Sequence, residues 1–228
     1  MKGKLYGVGT GAGDFELLTI KALRIIKSCP VIAIACQDKE TCVAYKIVES
    51  GYPEISQKEI LHINMPMTKD EPTLKKSHHD GAKRLCQVLK MGKDIAFLTL
   101  GDPSVYSTYM YVHKLVLENG FEAEIINGIT SFCACASRLG ISLGERDEKI
   151  TIIPATYNED SLEEILASKG TKILMKSGKK YPIIRERLLN LDCKAYMAEN
   201  CTMDGERLYL EKESFPNEAG YYSVIIVK

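Results

Sequence analysis

The chain has 228 residues, 45% hydrophobic and 26% charged, and its 30 basic and 30 acidic side chains cancel to a formal net charge of zero. That length and apolar content suffice for one large core or two small ones, while the missing net charge removes the global field that a phosphate backbone needs, so nucleic acid is not an expected partner. No apolar run reaches the length of a membrane span, and the eight cysteines include no Cys-x-x-Cys, so a soluble cytoplasmic protein with free thiols is expected, with no membrane partner and no bound metal.

Residues 4–9, KLYGVG, read as a short apolar strand that runs into the glycines of GTGAGD. In the dinucleotide fingerprint the third glycine follows the second by three positions, whereas Gly9, Gly11 and Gly13 alternate and Asp14 holds the place of that glycine. A carboxylate at the mouth of the next helix would repel a pyrophosphate, which speaks against NAD. Residues 19–28 place Ile20, Leu23 and Ile26 on one helical face with Thr19 as N-cap, and residues 30–36 form a fully apolar strand of the kind buried in parallel sheets. A helix near 40–50 and a strand KEILHI precede a polar stretch, NMPMTKDEPT (64–73), read as a long loop. A helix of about 17 residues ending near Gly92, the strand DIAFLTL, a helix from near Ser104 to about Asn119, the strand EAEIING and the helix ITSFCACASRLG complete a doubly wound layer.

Beyond the polar string ISLGERDEK the strands ITIIPA, TKILMK, CKAYMAEN, ERLYLE and YYSVIIVK outnumber the helices EDSLEEILAS and YPIIRERLLN. The fold class expected is α/β with two domains: a parallel doubly wound N-terminal sheet (1–142) and a mixed C-terminal sheet (143–228). Three loops at strand carboxyl ends are candidates for a ligand site: GTGAGD, LGDPSVY and GITS. Taken singly, Asp102 reads as a helix cap, Thr130 as an N-cap and Met175 as core.

Together, VGTGAGDFELLTIKAL, LTLGDPSVYSTY, NGITSF, KILMKSG and ENCT, in this order across nearly the whole chain, resemble the tetrapyrrole methyltransferase family, whose members use S-adenosylmethionine. The resemblance implies two α/β domains with the cofactor in a cleft between them, usually in a homodimer. It assigns cofactor contacts to Ala12, Leu100, Gly101, Asp102, Val105, Thr130, Ser131, Met175 and Cys201. The chain departs from the family pattern at Asn127, where proline is usual, and at Cys201, where glycine is usual. Ala35 stands where the uroporphyrinogen methyltransferases carry an acidic residue, which disfavours that reaction. INMPMTKD and GDPSVYSTYMY instead resemble the subgroup that methylates carbon 20 of precorrin-2, or of its cobalt-bearing oxidised form, in cobalamin synthesis.

Such a macrocycle carries many carboxylates, so a local basic rim is needed on a neutral protein, and Lys69, Lys75 and Lys76 beside the long loop are the expected substrate contacts. Asp102, Tyr106 and Tyr109 are the catalytic candidates, the two tyrosines being three apart on an expected helix and so on one face. Direct methyl transfer by positioning is the expected mechanism, with the proton of carbon 20 going to Asp102, Tyr106 or a ring nitrogen. The alternatives are a family relative acting on another tetrapyrrole carbon, on diphthamide or on ribosomal RNA; an NAD-dependent dehydrogenase; and a nucleotide-sensing module without turnover.

Overall fold

The computed structural model describes residues 1–154 and 159–228, with backbone only at residues 159–161 and 179. The chain divides into two compact units, Met1–Thr130 and Ser131–Lys228. The expected boundary at 142/143 lies one helix later: the helix read as completing the first layer belongs to the second unit.

The first unit holds five parallel strands, β1 (Lys4–Gly9), β2 (Val31–Ile34), β3 (Glu59–His62), β4 (Ile95–Thr99) and β5 (Glu122–Ile126), in the order β3-β2-β4-β1-β5. Its long helices are α1 (Ile20–Ser28), α2 (Val43–Gly51), α3 (Glu71–Lys90) and α4 (Tyr109–Glu118). The central strands β2 and β4 are apolar and buried because both faces are covered, whereas the edge strands β3 and β5 carry Glu59, Glu122 and Glu124. Val31 and Ala33 enter one core with Leu85 of α3 and Val112 of α4, while Ile32 and Ile34 enter the other with Ile26 of α1 and Val48 of α2. The connections leaving the neighbours β1 and β4 thus lie on opposite faces, the arrangement that opens a ligand crevice at strand carboxyl ends.

Three local expectations are corrected. On α1 Thr19 is the N-cap, accepting from the Ala22 amide at 3.1 Å, but the buried stripe is Ala22 and Ile26, and Ile20 is exposed. Asp14 does not stand at the mouth of α1; it caps a short 3-10 turn at Phe15–Leu17. The loop before α3 ends at Asp70, which accepts from the Thr73 amide at 2.9 Å, so Thr73 is already helical. Pro72 sits in the first turn, where a missing N–H costs nothing, so α3 runs 20 residues instead of about 17.

The second unit contains α5 (Ser131–Leu139), β6 (Ile150–Pro154), α6 (Glu159–Ala167), β7 (Thr171–Met175), α7 (Tyr181–Asn190), β8 (Ala195–Glu199), β9 (Arg207–Tyr209) and β10 (Ser223–Val227). The expected strand ITIIPA ends at Pro154, and Ala155 lies outside the described residues. The sheet is mixed, in the order β6-β7-β10-β8-β9, with β6 parallel to β7 and the other pairs antiparallel. Leu174, Ile184, Leu188, Met197 and Ile225 form its core. No helix among the described residues is long and apolar enough to cross a membrane.

Candidate functional site

The three glycine-bearing loops of the first unit meet at one edge of its sheet. Because β4, β1 and β5 are adjacent and parallel, the segments following Gly9, Thr99 and Ile126 emerge side by side. They then approach more closely than side chains permit. A Cβ on Gly9 would lie 2.5 Å from the Gly128 amide nitrogen and 2.6 Å from the Gly101 carbonyl oxygen, and one on Gly128 would lie 2.2 Å from that oxygen. Gly11 and Gly101 exchange backbone hydrogen bonds of 2.7 and 3.4 Å. Gly101 itself needs its freedom for another reason: its φ is +73°, and a Cβ there would meet nothing within 4 Å.

Asp102 joins two of these loops. Its side chain is buried, Oδ1 accepting from the Ser104 amide at 2.8 Å and the Ser104 hydroxyl at 2.5 Å, Oδ2 from the Gly128 amide at 3.0 Å and the Asn127 side-chain amide at 3.2 Å. Burial opposes ionisation, but the bonds from Ser104, Gly128 and Asn127 outweigh it and hold the carboxyl below its ordinary value. A folded-state value below the unfolded one means a contribution that is present above the unfolded pKa and is lost as pH falls through the folded value. Asp102→Asn is therefore expected to cost about 2 kcal/mol at pH 7, the scale of hydrogen bonds to a charged group, with the gap to the native chain closing below about pH 4. Urea denaturation at pH 7 and pH 3 measures both; an equal gap at the two values rules the ionised clamp out.

Of the other predicted contacts in this unit, Ala12 is buried just beyond Gly11, Leu100 and Val105 are half-buried on the Asp102 loop, and Thr130 follows Gly128. The Thr130 hydroxyl oxygen is buried without a hydrogen-bond partner. Tyr106 and Tyr109 are not brought together. Tyr106 lies in the loop before α4 with φ +49° and is 46% exposed. Tyr109 opens α4 and is fully buried, its ring against Phe97 and its hydroxyl 2.9 Å from His113 Nδ1. Burial pushes its phenol far up, so it belongs to the core and is not placed as a proton acceptor. The helix begins at Tyr109 and not near Ser104, which removes the shared face that the three-residue spacing suggested.

Lys69, Lys75 and Lys76 are exposed, on the loop after β3 and the first turns of α3, and Lys75 pairs with Glu71 at 3.8 Å. The loop emerges from the same sheet edge as the glycine loops, but β3 is three strands from β1, about 14 Å at the usual spacing.

In the second unit, Ser131 opens α5, and Met175 and Cys201 share one sheet edge. Strand β10 lies between β7 and β8, with Val224 paired to Met175 and Ser223 to Glu199, so the turn after β8 is two strands from Met175. Cys201 is buried and its thiol bonds that of Cys135, which pulls the Cys201 thiol down and pushes the Cys135 thiol up. Glu206 braces this turn, accepting from the Thr202 amide at 2.9 Å and from Arg138 at 2.5 to 3.0 Å. Left-handed backbone at non-glycine residues gathers beside predicted contacts: Tyr106 follows Val105, Lys176 (φ +58°) follows Met175, and Asn200 (φ +47°) and Thr202 (φ +59°) flank Cys201. Such conformations cost free energy and collect at ligand-binding segments. Composition and spacing did not reveal Asn127, Gly128 and Gly9 as a junction. The one signal was Asn127 at a place where the resembled family has proline.

Comparison with known proteins finds relatives along nearly the whole chain. The chain is 35% identical to the probable cobalt-precorrin-2 C(20)-methyltransferase of Methanocaldococcus jannaschii, covering 99% of this chain and 96% of that one. It is 32% identical to a precorrin-2 C(20)-methyltransferase of a Sinorhizobium species, covering 99% and 95%. The fold is shared with a uroporphyrin-III C-methyltransferase from Thermus thermophilus solved with S-adenosyl homocysteine, at TM-score 0.71, 21% identity and coverage of 99% and 97%. The family described as tetrapyrrole (corrin/porphyrin) methylases matches residues 4–214, and the chain belongs to it.

Proposed function

We propose that this chain transfers a methyl group from S-adenosylmethionine to carbon 20 of precorrin-2, or of its cobalt-bearing oxidised form, in cobalamin biosynthesis. The observation that carries the reading is the near full-length similarity to two C(20)-methyltransferases. The first unit's edge fits such a donor on two independent counts: the open space over the left-handed Gly101, and the buried Thr130 hydroxyl that still lacks a partner.

The donor supplies an electrophilic methyl group on a sulfonium. For the protein, the task is to hold and orient. The Gly101 carbonyl faces the loop junction and accepts from the Gly11 amide at 3.4 Å. A cation entering the open space over Gly101 would therefore meet the Leu100 side of this segment, and the Thr130 hydroxyl can donate or accept. On the second unit, Met175 offers a polarisable apolar surface on the same sheet edge as the Cys201 turn. Desolvation and alignment at such an edge are worth on the order of 7 to 11 kcal/mol, more than one weak base contributes. Asp102, ionised and bonded on both oxygens, is assigned to holding the loops and not to taking the proton. Tyr106 is the side chain kept as a macrocycle contact, and the proton leaves through it or a ring nitrogen. The reading includes a cytoplasmic homodimer, which sedimentation of the purified protein checks.

Incubation with S-adenosylmethionine and, separately, precorrin-2 and cobalt-factor II, followed by mass spectrometry and carbon-13 NMR of a labelled methyl, tests the function. One added methyl at carbon 20 is expected; methylation at another carbon, or of neither compound, overturns the assignment. Replacing Lys69, Lys75 and Lys76 together by Gln is expected to weaken tetrapyrrole binding about tenfold and to flatten its salt dependence, with S-adenosylhomocysteine affinity unchanged. Unaltered tetrapyrrole titrations at low and high salt would leave these lysines as a solvated face.

A further inference from the structure

Asn127 is an exposed residue whose polar groups are nevertheless committed at both ends. Its side-chain amide donates to Asp102 Oδ2 at 3.2 Å, and its backbone carbonyl accepts from the Thr19 hydroxyl at 3.3 Å. Thr19 in turn caps α1, so Asn127 ties the start of that helix and the loop after β4 to the end of β5. The two Asp102 oxygens divide their duties. Oδ1 is satisfied within its own loop, by Ser104, and Oδ2 alone reaches across to the loop after β5. Of the two bonds that cross, the Gly128 amide is backbone and the Asn127 amide is the one that sequence can change.

We propose that Asn127 is a positioning residue: by bonding Asp102 it sets the spacing between the Leu100–Gly101 segment and the Gly128–Thr130 segment that hold the methyl donor. The inference rests on the methyl-transfer reading above. Its physical basis is that a buried carboxylate needs its donors. With Asn127 removed, Oδ2 keeps one bond instead of two, and the cheapest relief is for the Asp102 loop to move toward water. That movement would carry Gly101 away from Gly128, where the loops now touch backbone to backbone.

The test compares Asn127→Ala, which deletes the donor, with Asn127→Asp, which keeps size and shape but sets a second carboxylate against Asp102. Binding of S-adenosylhomocysteine by calorimetry is expected to weaken about fivefold to tenfold in Asn127→Ala, less than the full worth of a hydrogen bond to a charged group because the Gly128 bond remains, and further in Asn127→Asp. The Michaelis constant for S-adenosylmethionine should rise as well, a change that loss of folded enzyme alone, which lowers only the apparent kcat, would not produce. Hydrogen exchange gives a readout that needs no ligand: the Gly128 amide, held by Asp102 across the two loops, should exchange at least tenfold faster in the two variants, while the Ser104 amide, bonded within the Asp102 loop, should change little. Unchanged exchange and unchanged affinity overturn the proposal. Faster exchange with unchanged affinity also overturns it, since the tether would then exist without positioning the donor. If the unaltered chain binds no S-adenosylhomocysteine, the methyl-transfer reading fails first, a result distinct from either.

Discussion

Gly128→Ala is expected to cost about 2 to 3 kcal/mol of stability and to abolish S-adenosylhomocysteine binding. The atoms that the new Cβ would strike are all backbone: the Gly101 carbonyl oxygen at 2.2 Å, the Gly9 carbonyl carbon at 2.8 Å and the Gly9 Cα at 2.9 Å. No rotamer can relieve such a contact, so whole loops must part, and overpacking of this kind sits at the upper end of its usual range. The Asp102 clamp would be pulled open in the same movement, because its bond to the Gly128 amide is anchored at the displaced residue. Urea denaturation and calorimetry measure the two consequences. An Ala variant with an unshifted midpoint and normal affinity would mean that the three loops do not touch as described.

Gly101→Val should fail differently, losing affinity for S-adenosylhomocysteine by about a hundredfold or more while remaining folded. Here nothing crowds the Cβ position, so packing inside the unit is not the obstacle. Two costs remain. The φ of +73° penalises any L side chain by about 1 to 2 kcal/mol, and the branched side chain fills the space proposed for the donor. Gly101→Ala separates them, since it shares the backbone penalty and intrudes less. If both variants lose similar stability but only Val loses binding, the open space is the donor's wall; if Val, once folded, binds as the native chain does, Gly101 serves a turn and nothing more.

Much of the secondary structure was legible because the physics behind it is local. The apolar runs at 31–34 and 95–99 could only be strands covered on both faces, and Thr19 announced α1 through its hydroxyl. Misreadings arose where one local rule masked another. Pro72 looked like a loop residue although the first helical turn tolerates it, and the spacing of Tyr106 and Tyr109 implied a helix that starts only at the second. The junction at the glycine edge was hidden for another reason. Gly9, Asp102 and Gly128 are dispersed along the chain, and only the order β4-β1-β5 makes them neighbours. Resemblance to a family pointed to the same loops without saying why each residue type stands there. That reason is close backbone approach for Gly9 and Gly128, and for Asp102 a carboxylate with four donors.

The position of β10 also governs how the protein is assembled during synthesis. Every strand of the first sheet lies within residues 4–126, so that unit can pair all its strands while the rest of the chain is still being made. The second sheet has no such freedom. Its middle strand is Ser223–Val227, fully buried, and both β7 and β8 hydrogen-bond to it. Until the ribosome has released those residues, β7 and β8 each present an unpaired apolar edge, the kind of surface that recruits another nascent chain. Aggregation on slowed translation, or on deletion of residues 221–228, should therefore arise from the second unit, with the first already formed.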